Sequence, residues 1–167
     1  MTDRRDKILD VAEKLIRTHG YSGFSFREVA SEVGIKSASV HYHFPTKPDL
    51  AAAVAKRYRE RFAAALEETE AEGMDRVAAW RLLFKRAFEE DGLMCLCGIL
   101  AAEGDSLPPE VAKEARGFLQ FGIRSLNEVE PQNGPRILSQ LEGAMLIARS
   151  TGDLSVFEEA TSALAVR

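Results

Sequence analysis

The sequence lacks a long hydrophobic run. Among its 167 residues no stretch of about 18 consecutive apolar residues occurs, so no transmembrane helix is predicted. The first residues, MTDRRDKILDVAEKL, place charges among the apolar positions, which does not match the apolar core of a secretory signal peptide. Two cysteines are too few for a disulfide framework. We therefore expect a cytoplasmic protein with no membrane partner.

Sequence patterns of catalytic sites are missing as well. There is no glycine-rich phosphate loop, no nucleophile elbow, and no HExxH or CxxC pair. Two of the three histidines, His41 and His43, lie in one short segment. Residues two apart on a helix point about 200° apart, so these imidazoles cannot share one metal ion. We therefore expect no enzymatic activity, no catalytic residue, no metal and no cofactor.

The sequence also lacks the patterns that predict β-strands. No segment alternates convincingly between apolar and polar residues, and there is no internal repeat or low-complexity segment. Apolar residues instead recur at spacings of three and four almost throughout, which is typical of amphipathic helices. The predicted fold class is all-α, with helices near residues 3–19, 26–33, 37–44, 47–72, 75–90, 109–128, 135–150 and 154–166, and one or two short buried helices in 91–105.

Local signals place several of these helix ends. Thr2 is the expected cap of the first helix, and Ser25 with Glu28 three residues later forms a capping-box pattern for the second. Gly34 follows the second helix, as a C-terminal glycine does. Pro48 stands near the first position of the fourth helix, where proline is favoured.

Charge is distributed unevenly along the chain. The net charge is −4, yet residues 1–60 hold 11 Lys/Arg and 8 Asp/Glu, whereas the remaining 107 hold 11 and 18. A polyanionic partner would therefore be attracted to the first part and repelled by the second.

The segment FREVASEVGIKSASVHYHF has the pattern of a helix-turn-helix: two short helices joined by VGIK at residues 33–36. The second of these helices is too short to be stable alone, so it must pack through Val40 and Phe44. Its remaining residues are small or polar, which suits a helix that enters the major groove of DNA. Lys47 follows at a helix N-terminus, where backbone amides favour a phosphate.

The stretch GFSFREVASEVGIKSASVHYHFPTKPDL resembles the DNA-binding segment of the TetR-type (tetracycline-repressor-like) transcriptional regulators, over about residues 7–55. The resemblance implies a helix-turn-helix DNA-binding domain over residues 1–46. It also implies a helical ligand-binding and dimerisation domain over residues 47–167, with residues 47–72 as the shared linking helix. The DNA contacts implied by the resemblance are Arg27, Lys36, Ser37, Ala38, Ser39, His41, Tyr42, His43 and Lys47.

Two positions depart from the family pattern. The family usually has Ser or Thr where Lys36 stands, so we expect Ser37 to take over the cap and to shift the start of the recognition helix by one residue. It favours Tyr where His41 stands, so base preference there cannot be transferred. Arg4 and Arg5 leave two interpretations open: an arm that reaches the DNA, or a frayed terminus.

A DNA-binding domain this small contacts few phosphates. We therefore expect a homodimer that binds two half-sites of a palindromic operator in double-stranded DNA. Apolar stripes on the last two helices predict the dimer contact, and Val166 extends the second stripe. The alternative is that these stripes complete the core of the monomer. The predicted interface residues are Leu138, Leu141, Met145, Ala148, Leu154, Phe157 and Leu164.

The resemblance also implies a small-molecule effector that binds between helices of the second domain. The candidate pocket residues, whose alternative role is plain core, are Tyr58, Phe62, Trp80, Phe84, Phe88, Met94, Cys97, Phe118 and Phe121. Because few polar groups lie among them, we expect a mainly apolar ligand, oriented by Arg81, Arg86, Glu103 or Gln120. The resulting hypothesis is a repressor that releases its operator when the effector binds, the direction of control being inferred from the family.

Cys95 and Cys97 raise an alternative, a cysteine-based redox or electrophile-sensing regulator of the same fold. The two residues face different sides of a helix, so a disulfide between them would be strained. Their apolar surroundings, LMCLCGIL, disfavour a thiolate. Buried structural cysteines are therefore the favoured interpretation.

Overall fold

The computed structural model describes residues 3–164, so Thr2 and Val166 lie outside the described residues. Within them the chain forms nine α-helices, two short 3-10 helices and no strand, which confirms the all-α fold class. No helix in this range is long and apolar enough to cross a bilayer. The helices are α1 (Arg4–His19), α2 (Phe26–Val33), α3 (Ser37–His43), α4 (Lys47–Ala71), α5 (Arg76–Asp91), α6 (Leu96–Ala102), α7 (Pro109–Val129), α8 (Gly134–Thr151) and α9 (Leu154–Ala160).

The chain divides into two compact units. The first unit runs to Tyr58 and also includes Leu96–Arg116, and the second contains Arg59–Cys95 and the chain from Gly117 onward. Helix α4 begins in the first unit and ends in the second. The domain division expected at residue 46 stays a prediction.

The core of the first unit is built on the apolar face of α1. Ile8, Ala12 and Ile16 are completely buried, and α1 packs against α2 and α6. The apolar residues of α1 that recur at spacings of three and four are all buried: Ile8, Leu9, Ala12, Leu15 and Ile16. Val40 and Phe44 attach α3 to this core and are 0% and 3% exposed.

The predicted capping box of α2 is present. The Ser25 hydroxyl lies 2.6 Å from Glu28 Oε2, and the Glu28 amide donates to Ser25 Oγ at 3.3 Å. At the other end of the helix Gly34 has φ +75°, a left-handed conformation that glycine adopts without strain. The chain can therefore turn sharply from α2 into α3.

Helix α3 begins at Ser37, and the expectation that Ser37 is its cap is wrong. Lys36 occupies the N-cap position, and its carbonyl already accepts from the Ser39 amide at 2.8 Å. Ser37 is therefore the first helical residue, and the Lys36 side chain makes no capping hydrogen bond.

Helix α4 starts with a second reciprocal box. The Thr46 amide donates to Asp49 Oδ2 at 3.0 Å, and the Asp49 amide donates to Thr46 Oγ1 at 3.2 Å. Pro48 stands at the second helical position, where no amide hydrogen is required. The predicted start of the linking helix is thus confirmed.

The second unit packs α5 against α8 and α9, and α8 against α9. Asp75 caps α5 by accepting from the amides of Val77 and Ala78 at 2.9 and 3.2 Å. The buried faces of α5 and α8 supply the apolar core of this unit.

The last helix is shorter than predicted: α9 ends at Ala160, not at residue 166. At the next residue, Thr161, the hydroxyl donates to the Phe157 carbonyl at 2.6 Å. Arg81 Nε donates to the Thr161 carbonyl at 3.1 Å and to its hydroxyl at 2.9 Å. The same carbonyl accepts from the Leu164 amide at 2.9 Å, so the chain continues beyond α9 as a 3-10 turn, Ser162–Leu164.

Candidate nucleic-acid interface and effector unit

The outward face of α3 carries the residues assigned to DNA contact. Tyr42 is 84% exposed, Lys36, Ala38 and His41 are also exposed, and Val40 on the opposite face is buried. The half-buried residues beside them are Ser37, Ser39 and His43. A short helix with small residues and one aromatic on its open face can lie close to base edges. The DNA assignment of these residues stays a prediction.

An open groove of about 1050 Å³ runs beside this face. It is lined on one side by the start of α1 and on the other by the turn before α3 and by α3 itself. Arg4 and Lys7 line the α1 side, opposite Lys36 and His43. The groove thus gathers three cationic side chains, Arg4, Lys7 and Lys36, beside one carboxylate, Asp3, and its net positive charge suits contact with phosphates.

The N-terminal arginines belong to a helix. Arg4 and Arg5 lie in the first turn of α1, and the Arg5 guanidinium lies 5.1 Å from the centre of the Phe44 ring. The interpretation of a frayed terminus is therefore wrong for these two residues. Sequence reasoning missed Lys7, although its spacing of three from Arg4 places both on one side of a helix.

His41 is held in a defined orientation. Its ring packs edge-on against Phe26, with centroids 4.6 Å apart, and Nδ1 lies 3.3 Å from the Pro45 carbonyl. When Nδ1–H donates to that carbonyl, Nε2 is left to accept a hydrogen bond, or to donate one as the imidazolium. This geometry suits base reading by a fixed side chain.

Lys47 is turned toward the connection between α1 and α2. Its ammonium lies 4.6 Å from the Tyr21 ring centre and 4.7 Å from that of Phe24. Burial lowers the pKa of Lys47, and the charges of Glu103 and Glu28 oppose that effect. The Lys47 ammonium thus makes cation–π contacts within the first unit. Arg27, another residue assigned to DNA contact, lies on the first turn of α2 and is exposed.

Glu103, expected to orient a ligand, bonds to the turn after α1, and its ligand contact stays a prediction. Its carboxylate accepts from the Tyr21 amide, from the Ser22 amide at 3.2 Å and from the Ser22 hydroxyl at 2.8 Å. Burial, followed by the charges of Glu110 and Glu103, raises the pKa of Tyr21. All of these residues lie in the first unit.

Five of the nine candidate pocket residues meet in one aromatic cluster of the second unit. Around Trp80 the ring centroids of Phe62, Phe121, Phe118 and Phe84 lie at 4.6, 5.7, 6.0 and 6.2 Å. Trp80 and Phe118 are completely buried and Phe84 is 2% exposed. The indole Nε1–H donates to a serine hydroxyl of α7 at 3.1 Å.

The other four candidate pocket residues fall in both units: Phe88 and Met94 in the second, Tyr58 and Cys97 in the first. A cleft of about 260 Å³ opens beside the aromatic cluster and is lined in part by Phe121. Arg81, a second expected ligand-orienting residue, bonds to Thr161 as described above. The ligand pocket itself stays a prediction.

The two cysteines are buried, with Cys95 1% and Cys97 0% exposed. The Cys95 amide donates to Met145 Sδ at 3.0 Å. No disulfide involves either residue within residues 3–164. An oxidant in solution therefore does not reach these thiols without movement of the chain.

The stripe predicted as a dimer contact fills the core of the single chain. Six of its seven members are at most 4% exposed, and Leu154 is half-buried. These side chains pack within the protomer and are not on its surface. The apolar side chains that α8 does expose are Leu146, at 56%, and Ile147, at 52%. Helical periodicity indicates which face is buried but does not indicate which chain covers it.

Glu142 is a buried carboxyl that sequence reasoning missed. Both of its carboxylate oxygens are inaccessible to solvent and accept no hydrogen bond from an N–H or O–H group among the described residues. Burial raises the pKa of Glu142 to about 7, and a hydrogen bond from the Cys95 thiol opposes the rise. The available signal was a carboxylate on the buried face of α8, four residues after Leu138 and three before Met145.

Comparison with known proteins supports the interpretation of the first unit. The family model described as bacterial regulatory proteins, tetR family, matches residues 8–54. An HTH-type transcriptional regulator from the dhlA 5′ region of Xanthobacter autotrophicus is 36% identical over 58 residues. The biofilm operon icaADBC negative transcriptional regulator IcaR of Staphylococcus aureus is 41% identical over 46 residues. These matches cover 35% and 28% of this chain but only 29% and 25% of the two relatives.

Solved structures are similar to this chain over nearly its whole length. The crystal structure of a TetR transcriptional regulator from Legionella pneumophila has a TM-score of 0.89 and 31% identity, and the match covers 98% of this chain and 96% of that one. This similarity extends through both units, well beyond the segment matched by the family model.

Proposed function

Since this chain belongs to the TetR family of transcriptional regulators, we propose that it binds a palindromic operator in double-stranded DNA as a homodimer. The proposed role is that of a cytoplasmic repressor that releases DNA when a small, mainly apolar effector binds to the second unit. The observation that carries the proposal is the exposed face of α3, flanked by the Lys and Arg side chains of the groove, in a chain similar to a family regulator over 98% of its length.

The first unit supports the DNA-binding part of the proposal. Its recognition helix is anchored by Val40 and Phe44, so its outer face is held rigidly by a packed core. Lys36, Arg4 and Lys7 supply positive charge along the groove, and the His41 ring presents a nitrogen at a fixed position. Charges of this kind position a protein on the DNA backbone, and a fixed side chain reads base edges.

The second unit supports the proposal of a dimer. Leu146 and Ile147 are large apolar side chains exposed on α8. Gly143 lies close to them on the same face, and nothing within 4 Å would meet a side chain there, so a second backbone can approach closely. We propose that two copies of α8 and α9 pack at this face, as in a four-helix bundle.

We propose that α4 carries the response to the effector. This helix of 25 residues continues from the first unit into the second, so a displacement at one end is transmitted along one rigid element. A ligand that prefers one position of α4 would alter the spacing of the two recognition helices of the dimer. The redox alternative is less favoured because both thiols are buried.

Titration of labelled DNA from the region upstream of the gene tests the proposal. We expect dimer binding to one palindrome with nanomolar affinity, and a steep loss of affinity as salt rises. A double Cys95→Ser, Cys97→Ser variant should bind and release DNA like the wild type. Equal affinity for the palindrome and for unrelated DNA of the same length would contradict the proposal.

A further inference from the structure

The second unit contains a buried carboxyl, Glu142, whose charge no other described residue balances. The buried polar side chains Thr69, Ser125 and Thr161 each have a hydrogen-bond partner in this unit. Glu142 differs, because neither of its oxygens accepts a hydrogen bond of normal geometry among the described residues. Burying an unpaired carboxylate costs several kcal/mol, so this position is unfavourable in the protein alone.

The surroundings of Glu142 within residues 3–164 supply no cation. The described group that acts on its pKa, apart from burial itself, is the Cys95 thiol. Arg81 is bonded to Thr161, and Lys85 is paired with Glu158 at 2.6 Å. A thiol is a weak hydrogen-bond donor and cannot neutralise a carboxylate. The carboxyl is therefore held partly in its protonated form near pH 7, and a cation from outside the described chain would favour its ionised form.

The helical turn that carries Glu142 follows one that reaches the aromatic cluster. Leu138 and Trp80 both approach Gly122, where an added Cβ would lie 3.0 Å from each. Glu142 is one turn beyond Leu138 on the same face of α8, about 6 Å further along the axis. Although both oxygens are enclosed, the residue as a whole is only half-buried, so the carboxylate lies just below the surface.

We propose that Glu142 is the anchor for the effector, and that the effector is an organic cation: an amine on an apolar, aromatic-binding body. The ammonium would donate to the Glu142 carboxylate, and the body would pack on the rings beside Trp80. A bound metal ion is not favoured, because no group of three His, Cys, Asp or Glu side chains is gathered within residues 3–164. The inference depends on the proposed effector-binding role of the second unit.

The test uses the full-length protein without DNA and reads the fluorescence of its single tryptophan, Trp80. The probes are phenylalkylamines with two to four methylenes and the alcohols with the same carbon skeletons. At about pH 8, where most of the Glu142 carboxyl is ionised, we expect the amine to bind about tenfold more tightly than its alcohol, about 1.4 kcal/mol. The Glu142→Gln variant should bind both equally, and its alcohol affinity should be unchanged.

Glu72→Gln is the matched control, since Glu72 is an exposed carboxyl of the same unit; it should keep the tenfold preference. If Glu142→Gln does not fold, the wild type decides the question: the preference for the amine should disappear at about pH 5.5, where the carboxyl is protonated. Equal binding of amine and alcohol to the wild type, or no fluorescence change with either, would overturn the inference. Loss of operator binding in the separate DNA titration would instead contradict the proposed function.

Discussion

At the scale of single residues, Glu142 should make the stability of the protein depend on pH. Its pKa is about 7 in the folded chain against an ordinary 4.5, so the folded state holds a proton that the unfolded state releases. Stability is therefore greatest below about pH 4.5 for this group and falls as pH rises through 7, by about 3 kcal/mol in total.

The Glu142→Gln variant removes this dependence. We expect its free energy of unfolding to exceed that of the wild type by about 2–3 kcal/mol at pH 8 and to match it near pH 5. Urea unfolding at both pH values measures the difference, with Glu72→Gln as the control that should follow the wild type. Parallel pH profiles for Glu142→Gln and the wild type would mean that this carboxyl is not buried in the charged form.

Lys36 and His41 should affect DNA binding in different ways. Lys36 is exposed in the groove, so we expect Lys36→Ala to weaken binding to all sequences alike and to lower the salt slope by about 1. His41 is fixed by Phe26 and Pro45, so His41→Ala should change the preference at particular base pairs by about 1–3 kcal/mol. Selection from a randomised half-site library measures both effects, and identical selectivity profiles would refute the assignment.

At the scale of elements, the capping box of α2 should contribute measurably to folding. Ser25→Ala removes the acceptor for the Glu28 amide and should lower the free energy of unfolding by about 1 kcal/mol. Ser31→Ala, on the exposed side of the same helix, should change it by a few tenths at most. Thermal and urea unfolding compare the two, and equal effects would show that the cap is not important.

The contrast between helix starts and the end of α9 shows which features the sequence can predict. Ser25 with Glu28, and Thr46 with Asp49, interact within three residues at a helix start, so the local sequence contains the whole interaction. The residue that follows α9, Thr161, is instead contacted by Arg81, which is 80 positions away. A long-range contact of this kind leaves no periodic trace, so the sequence predicts a helix that continues.

The candidate sites divide in the same way. The outer face of α3 was predictable because a short helix with small residues has one packed side and one open side. The chain that covers the apolar stripe of α8 was not predictable, because Leu141 and Met145 would be apolar whether their own chain or a second one covered them. The position of Glu142 was missed because a charged residue in an amphipathic helix is expected to face solvent.

At the scale of the whole molecule, the exposed face of α8 should control assembly and therefore DNA affinity. We expect Leu146→Glu combined with Ile147→Glu to convert the dimer into a folded monomer, because buried carboxylates would oppose the contact. Val129, 42% exposed on α7, provides the control: Val129→Glu should stay dimeric. Sedimentation velocity measures the mass, and operator titration should show at least a hundredfold weaker binding for the monomer, or about 3 kcal/mol. A dimeric double variant would place the contact elsewhere.

The exposure of Tyr42 allows DNA binding at the outward face of α3 to be followed by chemical modification. The chain has three tyrosines, of which Tyr42 is 84% exposed, Tyr58 is 8% exposed and Tyr21 is half-buried. A reagent that nitrates accessible phenols should therefore modify Tyr42 first. Once the DNA duplex covers the Tyr42 phenol, its nitration should slow. The nitrated fraction of the tryptic peptide that contains Tyr42, measured by mass spectrometry, would then give the fraction of protein bound to DNA without any label.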